Sequence, residues 1–158
     1  MINNDIGINT TEMNISIWVG CINARTHDQM GRNGKSTRKK IWESYYEGLK
    51  SLSDSGIMIP FIPDYATNNG HMFYLVCSSI QQRTSLIEYL KNNEIHAVFH
   101  YQSLHKSTYY INKHDKREIP FSDKYTDCLV RLPLFYELSD TDLNRIIDIV
   151  KEFFIKYE

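Results

Sequence analysis

Three histidines within ten residues, His96, His100 and His105, are the densest group of side chains here able to bind a metal or move a proton. On a helix, the four-residue interval between His96 and His100 would set two imidazoles one turn apart, close enough to share an ion. The run Ala97-Val98-Phe99-His100-Tyr101 reads instead as a strand, where that interval spans roughly 13 Å at ~3.3 Å per residue. A shared metal is therefore not expected. His96 reads as a surface residue at a strand start. His100 and His105 flank the place where a strand end runs into a polar loop, and such ends carry binding groups on a rigid support.

Two other constellations lead nowhere catalytic. Gly31 to Thr37, Gly-Arg-Asn-Gly-Lys-Ser-Thr, invites a phosphate-loop reading. A phosphate loop needs a further glycine five positions before Gly34, so that successive N–H groups wrap the phosphates, and that position is Gln29. A surface loop is the expectation. Cys21, Cys77 and Cys128 are too far apart for a zinc knuckle and odd in number for a disulfide framework; Cys77 and Cys128 read as small core residues. No serine or cysteine stands in a nucleophile elbow. Tyr109-Tyr110 beside Lys106, Lys113, Lys116 and Arg117 reads as a solvated basic loop.

The elements that must position these groups begin at Arg38. Trp42, Tyr45, Tyr46, Leu49 and Leu52 recur at helical spacing and predict an amphipathic helix. Ile57 to Ile62, interrupted by Pro60, suits an edge strand. Met72 to Cys77 is a buried strand by its aromatic and β-branched content. Ser79 and Gln82 have capping-box spacing before a helix whose stripe is Leu86, Ile87 and Leu90. Ala97 to Tyr101 is the third strand, Gln102 to Pro120 a long polar loop, and Asp123 to Leu132 a short helix ended by Pro133. Ser139 caps a last helix with the stripe Leu143, Ile146, Ile147, Val150 and Phe154. The pattern predicts an α+β fold: a small, mostly antiparallel sheet of about three strands with helices packed on it. Residues 1–37, with one apolar patch at Ile15 to Val19, read as loop or disorder, and 38–158 as the folded unit.

With 18 basic against 19 acidic side chains in 158 residues, the formal net charge is −1. No global field draws the chain to nucleic acid or to a membrane surface. No apolar run approaches the ~18 residues of a spanning helix, and no signal peptide opens the chain. A single cytoplasmic domain, unexported, is expected.

The run from Asn68 to Ser107, then Phe121 to Phe153, resembles the C-terminal region of the DegT/DnrJ/EryC1/StrS family of pyridoxal-phosphate-dependent sugar aminotransferases. Within it the similarity is greatest to dTDP-4-amino-4,6-dideoxygalactose transaminases. The motifs that carry it, in order, are His71-Met72-Phe73-Tyr74, Gln81-Gln82-Arg83, Ala97-Val98-Phe99-His100-Tyr101, Leu104-His105 and Arg131-Leu132-Pro133-Leu134-Phe135. The helix around Ile41-Trp42-Glu43 matches the lead into the family's small domain.

The resemblance implies the small domain of a fold-type-I aminotransferase and a place in amino-sugar synthesis for a surface polysaccharide, including lipopolysaccharide. It implies a homodimer, or pairing with an aminotransferase large domain, around a nucleotide-sugar ligand. His105 is carried over as a substrate contact, with Tyr101 and His100 beside it. The family usually has proline at Ser103, a departure that loosens the backbone before Leu104. Pyridoxal phosphate is the family's cofactor, but the lysine that holds it belongs to the large domain, and Lys35, Lys39 and Lys40 lack the flanking motif. No covalent cofactor and no catalytic residue are therefore expected, and the chain reads as a truncated or frameshifted aminotransferase, inactive alone. The alternatives are a non-catalytic binding module or one half of a split enzyme. Without a large domain, Trp42, Tyr45 and Tyr46 are expected to be partly uncovered.

Overall fold

The computed structural model describes residues 32–100, 103–113, 115 and 117–157. The strand expected at Ile15 to Val19, Cys21 and Lys116 lie outside the described residues.

Helix α1, Arg32–Leu49, begins six residues before Arg38, so Gly34, Lys35 and Ser36 belong to a helix rather than to a glycine-rich loop. Its apolar face buries Ile41, Trp42, Tyr45 and Leu49. Trp42 and Tyr45 are thus covered, contrary to expectation. Both rings meet Phe73 of the first strand, at 5.5 and 5.1 Å between centroids, and Trp42 also stacks on the half-buried Tyr46. The Tyr45 hydroxyl donates to the Pro133 carbonyl at 2.8 Å, which satisfies the one polar atom this ring brings into the core. Burial drives its pKa upward.

A 3-10 turn, Lys50–Ser55, closes on Gly56. The expected edge strand at Ile57 to Ile62 reduces to a single bridge, Met58 with Val76, because Pro60 and Pro63 leave the segment short of amide donors. Strand β1, Phe73–Val76, leads to helix α2, Ile80–Asn92. Ser79 accepts from the Gln82 amide while the Gln82 side chain accepts from Ser78, a capping box displaced by one residue. Strand β2 is only Val98–Phe99, followed by the long loop, helix α3, Pro120–Cys128, and strand β3, Leu129–Leu132. The expected helix from Asp123 to Leu132 is therefore half helix and half strand. Helix α4, Asp140–Lys156, is capped by Ser139, whose hydroxyl oxygen accepts from the Asp142 amide at 3.1 Å.

The sheet order is β1-β3-β2, with β3 antiparallel to both neighbours. Phe73, Leu75, Val130 and Leu132 turn one face into the main core against α1, α2 and α4; Tyr74, Val76, Leu129 and Arg131 belong to the other. The α+β class and the three-stranded antiparallel sheet are as expected from the sequence.

Gly70, just before β1, has φ +59, and a Cβ there would lie 2.8 Å from backbone atoms of Arg38 and Lys39. Backbone cannot swing aside as a side chain can, so Gly70→Ala is expected to destabilise the fold by about 1–3 kcal/mol. Urea denaturation checks this; a change under about 0.5 kcal/mol would show that the loop separates from α1 without cost.

Candidate substrate-loop site

Between β2 and α3 the chain makes one 3-10 turn, Leu104–Lys106, and further turns through Lys113 before Pro120 opens α3. Proline suits a first helical turn, whose N–H would lack a partner in any case. At the base of this loop Ser103 is buried, and its hydroxyl lies 2.5 Å from that of Thr126 on α3. The freedom expected from serine in place of proline is thus checked by a tether to the neighbouring helix.

The loop brings His105 and Lys106 onto one carboxylate. His105 Nε2 is 3.0 Å and Lys106 Nζ 2.8 Å from Asp123 Oδ1. That oxygen is shut from solvent, and neither contact has the angles of a directed hydrogen bond. The short Lys106 contact is the main cause that holds the Asp123 carboxyl below its ordinary range; partial burial opposes it, and the charges of Lys106 and His105 add to it. The same contact raises the Lys106 amine. Around them opens a groove of about 380 Å³, with Arg117 and Glu118 adding charge and Ile111, Ile119 and Pro120 an apolar wall. A wall of mixed apolar surface and paired charge suits a polyhydroxylated ligand, whose ring faces are apolar and whose edges carry donors and acceptors.

His100 is elsewhere. It follows β2, does not line this groove, and is half-buried with its pKa lowered, first by burial and then by the charge of Arg131. The histidines that the sequence placed in one neighbourhood are therefore separated. Tyr101 lies outside the described residues, and His96 is exposed. Among the described residues no three His, Cys, Asp or Glu side chains assemble to hold a metal. Cys77 and Cys128 are core residues: the Cys77 amide donates to the Cys128 carbonyl at 2.9 Å, and burial, the main cause, pushes the Cys77 thiol up to about 12. Asp123, the hub of the groove, was read from sequence only as a helix start. Its place in the first turn of a helix, where carboxylates are favoured, was the one signal available.

The chain belongs to the DegT/DnrJ/EryC1/StrS aminotransferase family, whose sequence model matches residues 6–151. The match begins within the stretch that the sequence reading set apart, as does α1. The fold is similar to that of TlmJ, an aminotransferase from Streptoalloteichus hindustanus (TM-score 0.70, 22% identity), over 78% of this chain and 32% of that one. It is similar to S. venezuelae DesV, solved with a ketimine intermediate (TM-score 0.68, 23% identity, 75% and 31%). It is also similar to Bacillus subtilis NtdA with bound PMP, over 74% of this chain and 27% of that one, at a TM-score of 0.64 and 15% identity. The chain spans a third or less of these solved structures. No helix among the described residues is long and apolar enough to cross a membrane.

The family's cofactor, pyridoxal phosphate, is held through an amine that must lose its proton to form an imine. The described residues do not fit that need. From Lys39 onward none of their lysines is buried; Lys151 is half-covered on α4, and the others from Lys39 onward are exposed. The one lysine in the groove, Lys106, is pinned to Asp123 in its charged form.

Ser103→Ala is expected to cost about 1 kcal/mol and to speed amide exchange at Lys106 and Ser107, whose N–H groups close the turn on Ser103 and Leu104. Unchanged exchange would remove Ser103 as the tether. On acidification, the stabilisation from Asp123 should stay whole above its ordinary pKa of 3.8 and be lost only as pH falls through the lower folded value. A carboxyl titration followed by NMR with a midpoint at or above 3.8 would contradict the pairing.

Proposed function

We propose that residues 38–158 are the substrate-facing small domain of a nucleotide-sugar aminotransferase and that the chain alone does not transaminate. The groove at His105, Lys106, Asp123 and Arg117 meets the sugar, while the lysine that holds the cofactor comes from a large domain, on another segment or another chain. The complete unit works in the cytoplasm as a homodimer or as a pairing with such a large domain. Its substrate is a dTDP-linked keto sugar of the kind taken by dTDP-4-amino-4,6-dideoxygalactose transaminases, and its product feeds a surface polysaccharide such as lipopolysaccharide.

The observation that carries this reading is the state of Lys106. It is the lysine that the groove offers to a bound aldehyde, and its contact with Asp123 at 2.8 Å raises its pKa, the reverse of what a Schiff-base amine requires. Family membership supports the substrate class, and the groove's mixture of charged and apolar groups supports a ligand whose hydroxyl groups exchange hydrogen bonds. Within this chain, His105 and Lys106 orient the ligand and Asp123 holds both side chains in place, with no proton transfer assigned to any of them.

The test adds pyridoxal phosphate and then borohydride to the purified chain and maps modified lysines by mass spectrometry. No stoichiometric modification is expected; fixation on a single lysine would overturn the inactive-alone reading. In parallel, a dTDP-linked 4-keto-6-deoxyhexose should bind, with Lys106→Met weakening it about tenfold, the loss of one charge-assisted hydrogen bond. Absence of binding to the folded chain would remove the groove as a sugar site.

A further inference from the structure

The turn that leads into β1 holds a pair of residues able to react with each other. Asn69 is exposed and is followed by Gly70, whose amide nitrogen, shielded by no side chain, can attack the carboxamide carbon beside it. The turn sets the two partners of that reaction in opposite states. Asn69 Oδ1 accepts from the His71 N–H at 3.1 Å, a donor placed where negative charge would develop as the carboxamide is attacked. The Gly70 N–H must lose its proton before its nitrogen can attack, and it donates to Asn68 Oδ1 at 2.8 Å. That bond favours the protonated form and points the nitrogen at Asn68 instead of Asn69. The electrophile is poised and the nucleophile is latched.

The same turn is where this loop meets α1. Gly70 is buried although Asn69 is exposed, and a Cβ at Gly70 would lie 2.8 Å from backbone atoms of Arg38 and Lys39. The reactive side chain is thus in solvent, while the backbone it would alter is packed against the helix.

We propose that Asn69-Gly70 is a self-modification site latched by the Asn68 side chain, and that its reaction releases the β1 turn from α1. When the latch opens, the Gly70 nitrogen gives its proton to solvent and bonds to Asn69 Cγ. The Cγ–Nδ2 bond breaks, and Nδ2 takes up a proton and leaves as ammonia. Water then opens the cyclic imide at one of its two carbonyl carbons. Breaking the bond from Gly70 nitrogen to Cγ gives aspartate at position 69 with the backbone path unchanged. Breaking the bond from Gly70 nitrogen to the Asn69 main-chain carbon leaves the backbone running through Cγ, an isoaspartyl link longer by one methylene. Water enters, ammonia leaves, and nothing is oxidised or reduced. The isoaspartyl product shifts Gly70 by about 1.5 Å, one C–C bond length, at a place already too close to Arg38 and Lys39 for a Cβ. No part of this inference depends on the reading of the His105 groove.

The experiment incubates the full chain at mildly alkaline pH and maps its peptides by mass spectrometry over days, with aspartyl and isoaspartyl products at position 69 resolved. The map separates this site from Asn33-Gly34, the other Asn-Gly pair in the sequence. Conversion of Asn69 is expected to be about tenfold or more slower in the folded chain than in urea, because it must await a local opening. Asn68→Ala should speed it about fivefold, the loss of one hydrogen bond, and Asn68→Asp, which keeps the acceptor, should restore the slow rate. The purified isoaspartyl chain should melt at a lower temperature than the aspartyl one. Should Asn68→Ala fail to fold by near-ultraviolet circular dichroism, amide exchange at Gly70 in the unmodified chain takes its place, and protection is expected there. Four results would overturn the proposal: equal conversion in the folded chain and in urea, a folded Asn68→Ala no faster than the parent, an unprotected Gly70 amide, or an isoaspartyl chain as stable as the aspartyl one.

Discussion

The central strand Leu129–Leu132 is paired on both edges and packed on both faces, and this is the constraint from which the rest of the molecule follows. Its two edges are taken by β1 and β2. Val130 and Leu132 complete the inner face with Phe73 and Leu75, and Leu129 joins Tyr74 and Val76 on the outer one. Each fully buried apolar side chain of this kind contributes roughly 1.5–3 kcal/mol, so the register cannot slip by one residue without inverting the whole set. Because α3 ends at Cys128 and β3 starts at Leu129 with no linker, that register also fixes the helix in front of it. Asp123 is positioned by the strand rather than by the loop it serves.

The helical layer is locked to the sheet by aromatic contacts more than by length of interface. Tyr45 and Trp42 both close on Phe73, and the Tyr45 hydroxyl reaches past it to the carbonyl of Pro133, directly after β3. One ring therefore touches α1, β1 and the end of β3, which is why these aromatics are buried within the chain. On the far side, Arg83 of α2 donates to the Asp127 carbonyl and lies 5.4 Å over the ring of Phe99, so a single guanidinium ties α2 to both α3 and the thin strand β2.

How much of this was legible depended on element length. Helices α1, α2 and α4 declare themselves because their buried positions recur at helical spacing over many turns, and Ser79 and Ser139 mark their starts. Strand β3 did not, because Leu129-Val130-Arg131-Leu132 is four residues attached to a helix, and so short an apolar run satisfies either period. Pro133 was read as ending a helix when it ends a strand. The site was legible to the extent that it is local. His105 could be chosen from its loop and its family pattern, whereas Asp123 acquires meaning only from residues that the fold brings to it across a loop.

Serine at position 103 shows how a substitution can preserve a geometry while changing its physical basis. Proline restricts the backbone by removing conformations from the unfolded chain, a covalent effect that conditions cannot undo. The Ser103 hydroxyl restricts it through one contact with Thr126, which acts only while α3 is docked. The loop that carries His105 and Lys106 is thereby coupled to α3 twice, at its base through a neutral hydrogen bond and at its tip through the Asp123 carboxylate. The two couplings respond to different conditions: the base is indifferent to acid and salt, while the tip loses its hold when Asp123 is protonated and weakens as ions screen its partly exposed charges. A ligand that competes for Lys106 would therefore loosen the tip and leave the base in place, so that the loop turns about Ser103 rather than melting.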